Sequence, residues 1–436
     1  MNMRLTGLLI VLSAAMVWGG GFETAGIGTR QMNMGGAAIG LADDWTAIFW
    51  NPAGLAFMTG SQVGFDIRMS QMTQTADQSL RNIGLAGGFN PSLGDFPIPF
   101  GPWAAPGAEP TRYSEDTISD NQFRPDVGWY KAFDSFTLGI GFYGSGGLGA
   151  EWSDSAVTAG GDLIKAEYST AVAVMNVPVA FGMKLGDRQA VGGSLQILYG
   201  FNSTDNSKVY TDVDGPPTTS YRYDSESDGT GYGMEVDLGY MLKLTDTLTV
   251  GALYRSHYVL HAPGEAKMGF TGGPPAAEES DMEMIMDYPQ RAGVGAAWKP
   301  SDALTLTGDL YYINWSAMDI NLVYDDEGVW LNNRRVSDDM MNTWPLRLGC
   351  EYKQSAALAW RFGYYSDPSP YPADYATLVQ SRFPNAEVLA AGVGYTRGTM
   401  SYHAMLNYTL VHPRTGNSNE IDGSVSNLAL GMLIGL

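Results

Sequence analysis

The chain has one cysteine, Cys350, in 436 residues, so no disulfide can form within it. Its 25 lysines and arginines are outnumbered by 46 acids, for a formal net charge of −21. That balance excludes a nucleic-acid partner, whose phosphates need a basic surface. The four histidines are scattered, and no H-E-x-x-H or G-x-S-x-G pattern occurs. Neither enzymatic chemistry nor a metal or other cofactor is therefore expected. His257 and His261 share a strand face but lack the further ligands a metal site needs. Long apolar runs are also missing. After the first twenty-odd residues nothing reaches the roughly 18 residues that a spanning helix requires, and mean hydropathy is −0.11.

What is present is alternation. Tyr232, Met234, Val236, Leu238, Tyr240 and Leu242 are interleaved with Gly233, Glu235, Asp237, Gly239 and Met241. Side chains on a strand point to opposite faces with period two, so one face is apolar and the other polar. The apolar face is rich in aromatics and about ten residues long, strand after strand, which suits a strand tilted across a bilayer. About fourteen such strands are expected, near 63–72, 125–133, 136–144, 171–185, 189–201, 231–242, 248–258, 282–298, 304–315, 345–352, 358–365, 388–395, 400–410 and 426–436. Joins alternate between tight turns, such as Asp134-Ser135 and Gly186-Asp187-Arg188, and long segments, including 73–124, 145–170, 202–230 and 259–281. Short turns face the periplasm and long loops the exterior in bacterial barrels. The fold class is thus an all-β transmembrane antiparallel barrel.

Strand faces follow from the same parity. Met282, Met284, Met286 and Tyr288 are expected to face lipid, with Asp281, Glu283, Asp287 and Arg291 facing the lumen. Cys350 falls on the lipid face with Leu346, Leu348 and Tyr352. The strand near the end places Leu428, Leu430, Met432, Ile434 and Leu436 on one face.

Residues 1–21 read as a secretory signal: Arg4, an apolar run from Leu5 to about Val17, then small residues. Cleavage after Ala15, Gly19 or Gly21 stays open. Residues 22–60 lack strand alternation, and residues 61–436 form the barrel. A fourteen-stranded barrel is too wide for wall side chains to fill, so 22–60 is expected to be a hatch of short helices inside it. Asp43 or Asp44 can start one helix, and Pro52 after Asn51 the next.

The segment Gly35-Gly36-Ala37, Leu41-Ala42-Asp43-Asp44, Asn51-Pro52-Ala53-Gly54-Leu55 resembles the hatch of the FadL/TodX family of outer-membrane transporters for long-chain fatty acids and aromatic hydrocarbons. Further matches are Gly146-Gly147-Leu148-Gly149-Ala150-Glu151-Trp152, Pro289-Gln290-Arg291-Ala292-Gly293 and Trp344-Pro345-Leu346-Arg347-Leu348-Gly349. Their order covers nearly the whole chain after the signal. The resemblance implies passive uptake of a hydrophobic small molecule by a monomer in the bacterial outer membrane, among its lipid and lipopolysaccharide. Ligand is captured in a pocket above the hatch and leaves sideways at a kinked third strand.

Candidate residues follow, each with two readings. Met32, Met34, Ile39, Phe49 and Trp50 either line that pocket or pack the hatch against the wall. Arg291, Arg347 and Arg361 either hold a ligand carboxylate or join a lumenal network with Asp237, Asp287, Asp309 and Glu351. Asn51, Pro52 and Ala53 are the hatch motif. Gly144, Gly146, Gly147 and Gly149 either open a lateral gate or form a loop base; glycine inside a strand marks a bulge or close approach. Gly139 to Gly144 matches G-x-G-x-x-G but lies in a strand with no helix following, which excludes a dinucleotide site. A different class of function also fits: a FadL-like barrel serving as a protein-binding shuttle or anchor in secretion, docking through segment 73–124.

Overall fold

A computed structural model describes residues 24–77, 116–157, 163–212, 219–271, 276–335, 339–370, 385–411, 414–416 and 419–436. The expected signal sequence and most of segment 73–124 lie outside the described residues. Fourteen antiparallel strands close into a barrel: β1 (Ser61–Asp77), β2 (Asp116–Ala132), β3 (Thr137–Val157), β4 (Leu163–Lys184), β5 (Gln189–Asp212), β6 (Thr219–Lys243), β7 (Leu248–Arg255 continued by Tyr258–Thr271), β8 (Ala276–Tyr288 continued by Arg291–Ser301), β9 (Leu304–Ile313 continued by Asp319–Tyr324), β10 (Leu346–Lys353), β11 (Leu358–Asp367), β12 (Ala386–Arg397), β13 (Met400–Val411) and β14 (Asn419–Gly435). Each pairs with its sequence neighbours. β14 returns to β1 from Gln62↔Gly435 to Asp77↔Glu420, which removes every sheet edge at the seam.

The wall is taller than its alternation suggested. Much of what the sequence offered as loops 145–170, 202–230 and 259–281 is strand. A stretch such as 202–207 is polar on both faces and carries no period-two signal, yet it continues the ladder that starts in the membrane.

One expectation is reversed. Met282, Met286 and Tyr288 are buried inside the barrel, while Asp281 is exposed and Glu283 and Asp287 half-exposed on its outside. Parity in β7 explains how. Leu253 and Arg255 point inward, and then Tyr258, Leu260 and Ala262 do so, a skip of one residue at Ser256-His257. β8 skips at Pro289-Gln290, and β9 at the 3₁₀ turn Trp315–Ala317. A one-residue slip moves every later side chain to the other face. Below these skips the outside is apolar, with Val236, Leu238, Tyr254, Val294 and Leu310 exposed. Above them it carries polar and charged pairs, including His261–Glu283 at 2.9 Å and Lys267–Glu279 at 3.1 Å. Tyr254, Tyr312 and Trp344 lie at the change, as an aromatic girdle does at a membrane boundary.

Inside, the lower barrel is filled by residues 24–60. Helix α1 (Thr29–Met32), helix α2 (Ala47–Trp50) and the 3₁₀ helix Pro52–Phe57 are almost wholly buried. Glycines in the wall let this segment come to backbone contact. Gly64 and Gly128 face each other across β1 and β2, and a Cβ on either would collide with the Trp45 indole between them. Gly349 and Gly363, opposite each other on β10 and β11, leave the same room for Met34 and Gly35.

Candidate functional site

The site is built on the end of α2. Asp44 accepts hydrogen bonds from the Thr46 amide (2.9 Å) and hydroxyl (2.6 Å), which turns the chain into the helix. The helix stops at Asn51, whose backbone is extended. The Asn51 Oδ1 accepts from the Ala53 amide at 3.1 Å and so caps the next helix, where Pro52 supplies a first residue with no amide to satisfy. Its Nδ2 donates to the carbonyls of Ile39 (2.9 Å) and Tyr240 (3.2 Å). One side chain thereby fixes the turn and ties it to β6. Phe49 and Trp50 are left facing up the barrel, edge to face at 4.8 Å.

Above them lies a cavity of about 60 Å³ bounded by Phe49, Trp50, Leu198, Leu253, Tyr258, Tyr311 and Ile313, with Asn176, Glu235, Arg255, Arg291 and Arg347 among its polar walls. A water needs roughly 10–15 Å³ of such space, so the cavity has room for a few waters, not for an extended alkyl chain. Higher still, Tyr258 and Tyr288 stack at 4.5 Å over an apolar cluster that includes Leu260, Met286, Trp315 and Ile320.

The charges are unevenly compensated. Arg291 bonds Glu235 directly. Arg255 donates to the Phe49 carbonyl, lies 4.1 Å above the Phe49 ring and has Asp237 at 3.9 Å. Arg347 donates to the Ala25 carbonyl at 2.7 Å and sits 5.1–5.4 Å from the rings of Trp50, Tyr311 and Tyr365. Among the described residues no carboxylate pairs with it within 4.0 Å.

The cavity reaches the wall at β3. Gly144 faces Met175 and Gly146 faces Val174, so Ser145 is an extra residue, a bulge. Gly147 and Gly149 resume pairing with Ala173 and Ala171. On its other side β3 pairs with β2 only from Ala132↔Thr137 to Val127↔Phe142. Above that, the described parts of β2 and β3 run without a ladder between them. Pro125, which has no amide to donate, sits where the ladder stops, as proline does on an edge. With a rise of about 3.4 Å per residue and a tilt of about 40°, the opening begins about 15 Å above the periplasmic rim. Ser145 both lines the cavity and flanks this opening.

Of the residues singled out from sequence, Phe49, Trp50, Arg291 and Arg347 come together around the cavity. Met32, Met34 and Ile39 pack the hatch: Met32 beneath Trp50, Met34 with Leu41 and Ala297, Ile39 over Gly293 and Gly295. Arg361 is elsewhere, 2.7 Å from Glu351 and 3.2 Å from His403 Nδ1, in a network that Arg30 extends to Asp43 and Asp44. Burial alone would lower the Arg30 pKa and raise that of Asp43. Their pairing, with Glu351 and Asp44 also acting on Arg30, outweighs burial and holds Arg30 well above and Asp43 below its ordinary value. Glu235 and Tyr311 were not singled out, although strand parity turns both inward. Tyr258 carried no usable signal, because the skip at Ser256-His257 reverses its parity.

A family profile described as outer membrane protein transport protein (OMPP1/FadL/TodX) matches residues 10–423. A protein of Neisseria meningitidis serogroup B, named only as an outer membrane protein, is 24% identical over 94% of this chain and 91% of its own length. The crystal structure of a Pseudomonas aeruginosa FadL homologue superposes with a TM-score of 0.70 at 16% identity, covering 95% of this chain and 99% of that one. The Pseudomonas putida toluene transporter TodX gives 0.64 at 15% identity over the same shares. The chain belongs to the FadL/TodX family of outer-membrane transport proteins for hydrophobic compounds.

Proposed function

We propose that the protein takes up hydrophobic compounds, long-chain fatty acids or aromatic hydrocarbons, without an enzymatic step. Ligand settles above Phe49 and Trp50 and leaves sideways between β2 and β3. The observation that carries this reading is Ser145, which belongs to the cavity and to the unpaired edge at once. Lateral exit suits a molecule that gains about 0.8 kcal/mol for each CH₂ kept out of water, because it never enters an aqueous lumen. The small resting volume asks the cavity to widen for a long chain and far less for a single ring. Toluene, the substrate in the name of the Pseudomonas putida relative, is of the second kind.

The test is uptake of labelled oleate and labelled toluene by cells with and without the chain. The expected result is faster uptake of at least one. Replacing Gly146 and Gly147 with valine should straighten β3 and lower uptake, while the barrel still migrates as a folded species on an unheated gel. Equal uptake with and without the protein, for both compounds, overturns the reading.

A further inference from the structure

The periplasmic end of the lumen carries a charge opposite to that of the molecule. The formal net charge of the chain is −21, yet Lys184, Lys243, Lys299 and Lys353 stand along one half of the mouth, at the lower ends of β4, β6, β8 and β10. Their placement repeats. Lys243 donates its amide to the Arg188 carbonyl, Lys299 to that of Thr247 and Lys353 to that of Ala303, each at 2.8 Å. Three of the lysines thus close the ladder to the preceding hairpin at equivalent positions. On the other half of the mouth those positions are Ala132, Thr396 and Gly435, which donate to Gly60, Ala357 and Thr399 and carry no charge. Parity turns all four lysines inward, two residues beyond the inward positions Gly182, Met241, Ala297 and Glu351. Strands stand about 4.8 Å apart, so successive lysines spring from backbones about 10 Å apart and the row spans an arc of about 30 Å.

The row is not neutralised by direct pairing. Among the described residues no carboxylate lies within 4.0 Å of any of the four, and Asp43 and Glu351 are bonded to Arg30 and Arg361. Burial, and then the neighbouring Lys184 and Lys299, hold the Lys243 ammonium below the ordinary lysine value. The floor between them is the half-buried Phe57, followed by half-buried Met58. The Lys243 Nζ is 4.1 Å and the Lys184 Nζ 6.0 Å from the Phe57 ring centroid. A recess lined by one sign of charge gathers ions of the other. A lysine that serves lipid headgroups stands on the outer face, as Lys131 does beside exposed Phe133; these four face the lumen. Their arc is also too long for one phosphate or carboxylate group.

We propose that this half of the mouth docks an acidic segment of a periplasmic protein, an extended stretch of roughly nine residues whose carboxylates meet the four lysines and whose apolar side chain covers Phe57 and Met58. The interaction does not depend on the transport reading, because a ligand that leaves sideways above the hatch never crosses this face.

The probe is a fluorescein-labelled decapeptide of Glu and Asp with one central Phe, and a second peptide has Ser in place of Phe. The receptor is the full chain in phosphatidylcholine nanodiscs, with binding read by fluorescence anisotropy. The Phe peptide is expected to bind about threefold or more tighter than the Ser peptide, and Phe57→Ser should abolish that difference. Lys243→Glu with Lys299→Glu should weaken binding about tenfold or more, and Lys243→Gln with Lys299→Gln by less. Lys131→Glu with Arg397→Glu, an equal change of charge on the outer face, should stay within about twofold. All variants should migrate as folded barrels on an unheated gel. No binding of the Phe peptide, equal weakening by the outer-face pair, or displacement of the peptide by glycerol 3-phosphate at the peptide's own concentration overturns the proposal. The last result would make the mouth a lipid-headgroup site.

Discussion

Below the skips at Ser256-His257, Pro289-Gln290 and Trp315–Ala317, the wall is apolar outside and polar inside. Above them the same three strands are polar outside and apolar inside. The lower half is immersed in lipid and its interior is filled by a separate segment. The upper half meets water and fills itself, with Leu260, Met286, Trp315 and Ile320 forming a core like that of a soluble protein. The backbone does not change kind at the boundary. One extra residue per strand exchanges the faces, and the medium outside decides which exchange is stable.

Lysine substitutions in β8 break this comparison most directly. Val294→Lys, on the lipid face below the skip, should cost about 2–4 kcal/mol. Ile285→Lys, on the outside above it, should stay within about 0.5 kcal/mol. Met286→Lys, one residue on but inside, should be as damaging as Val294→Lys, since it puts a charge into the Leu260–Trp315 core. Urea unfolding in lipid vesicles reads all three. Equal costs for Ile285→Lys and Val294→Lys would place the upper wall in lipid.

Asn51→Ala sharpens the contrast between a filled and a self-filled interior. It removes a helix cap and two bonds to neighbouring carbonyls, a loss of about 1–2 kcal/mol. The loss should fall on the hatch alone. Faster hydrogen exchange in residues 24–57, with unchanged exchange in the Tyr258–Tyr288 region, is the expected pattern.

The smallest effect concerns acid. The folded-state pKa of Asp43 lies below its ordinary value, so its contribution is complete above the unfolded value of about 3.9 and is lost as pH falls through the folded one. The urea midpoint of the wild type should lose this part only below about pH 4, and Asp43→Asn should show a flatter dependence there. The upper half, which Asp43 does not touch, should respond identically in both proteins.

The barrel was legible because lipid imposes a strict period of two, and residues such as Met234, Val236 and Leu238 obey it. The upper wall was not, because a stretch such as Ser203 to Ser207, none of it buried, needs no alternation. The inverted face of Met282, Met286 and Tyr288 was hidden for a sharper reason. Alternation reveals that two faces differ but not which one is inside, and only the boundary between lipid and water supplies that sign. Around the cavity, Phe49 and Trp50 were visible as apolar residues in a segment destined for a polar lumen. That Met32, Met34 and Ile39 pack downward instead depends on the path of the chain through Gly35 and Gly36, both at positive φ, which no periodicity encodes.

The glycines opposite Trp45 and beneath Met34 mean that the hatch is keyed to its housing. Each wall glycine is a socket cut to the outline of one hatch residue, and the sockets lie on different strands around the circumference. A part seated in that way can neither rotate nor slide as a piston without colliding at every socket together.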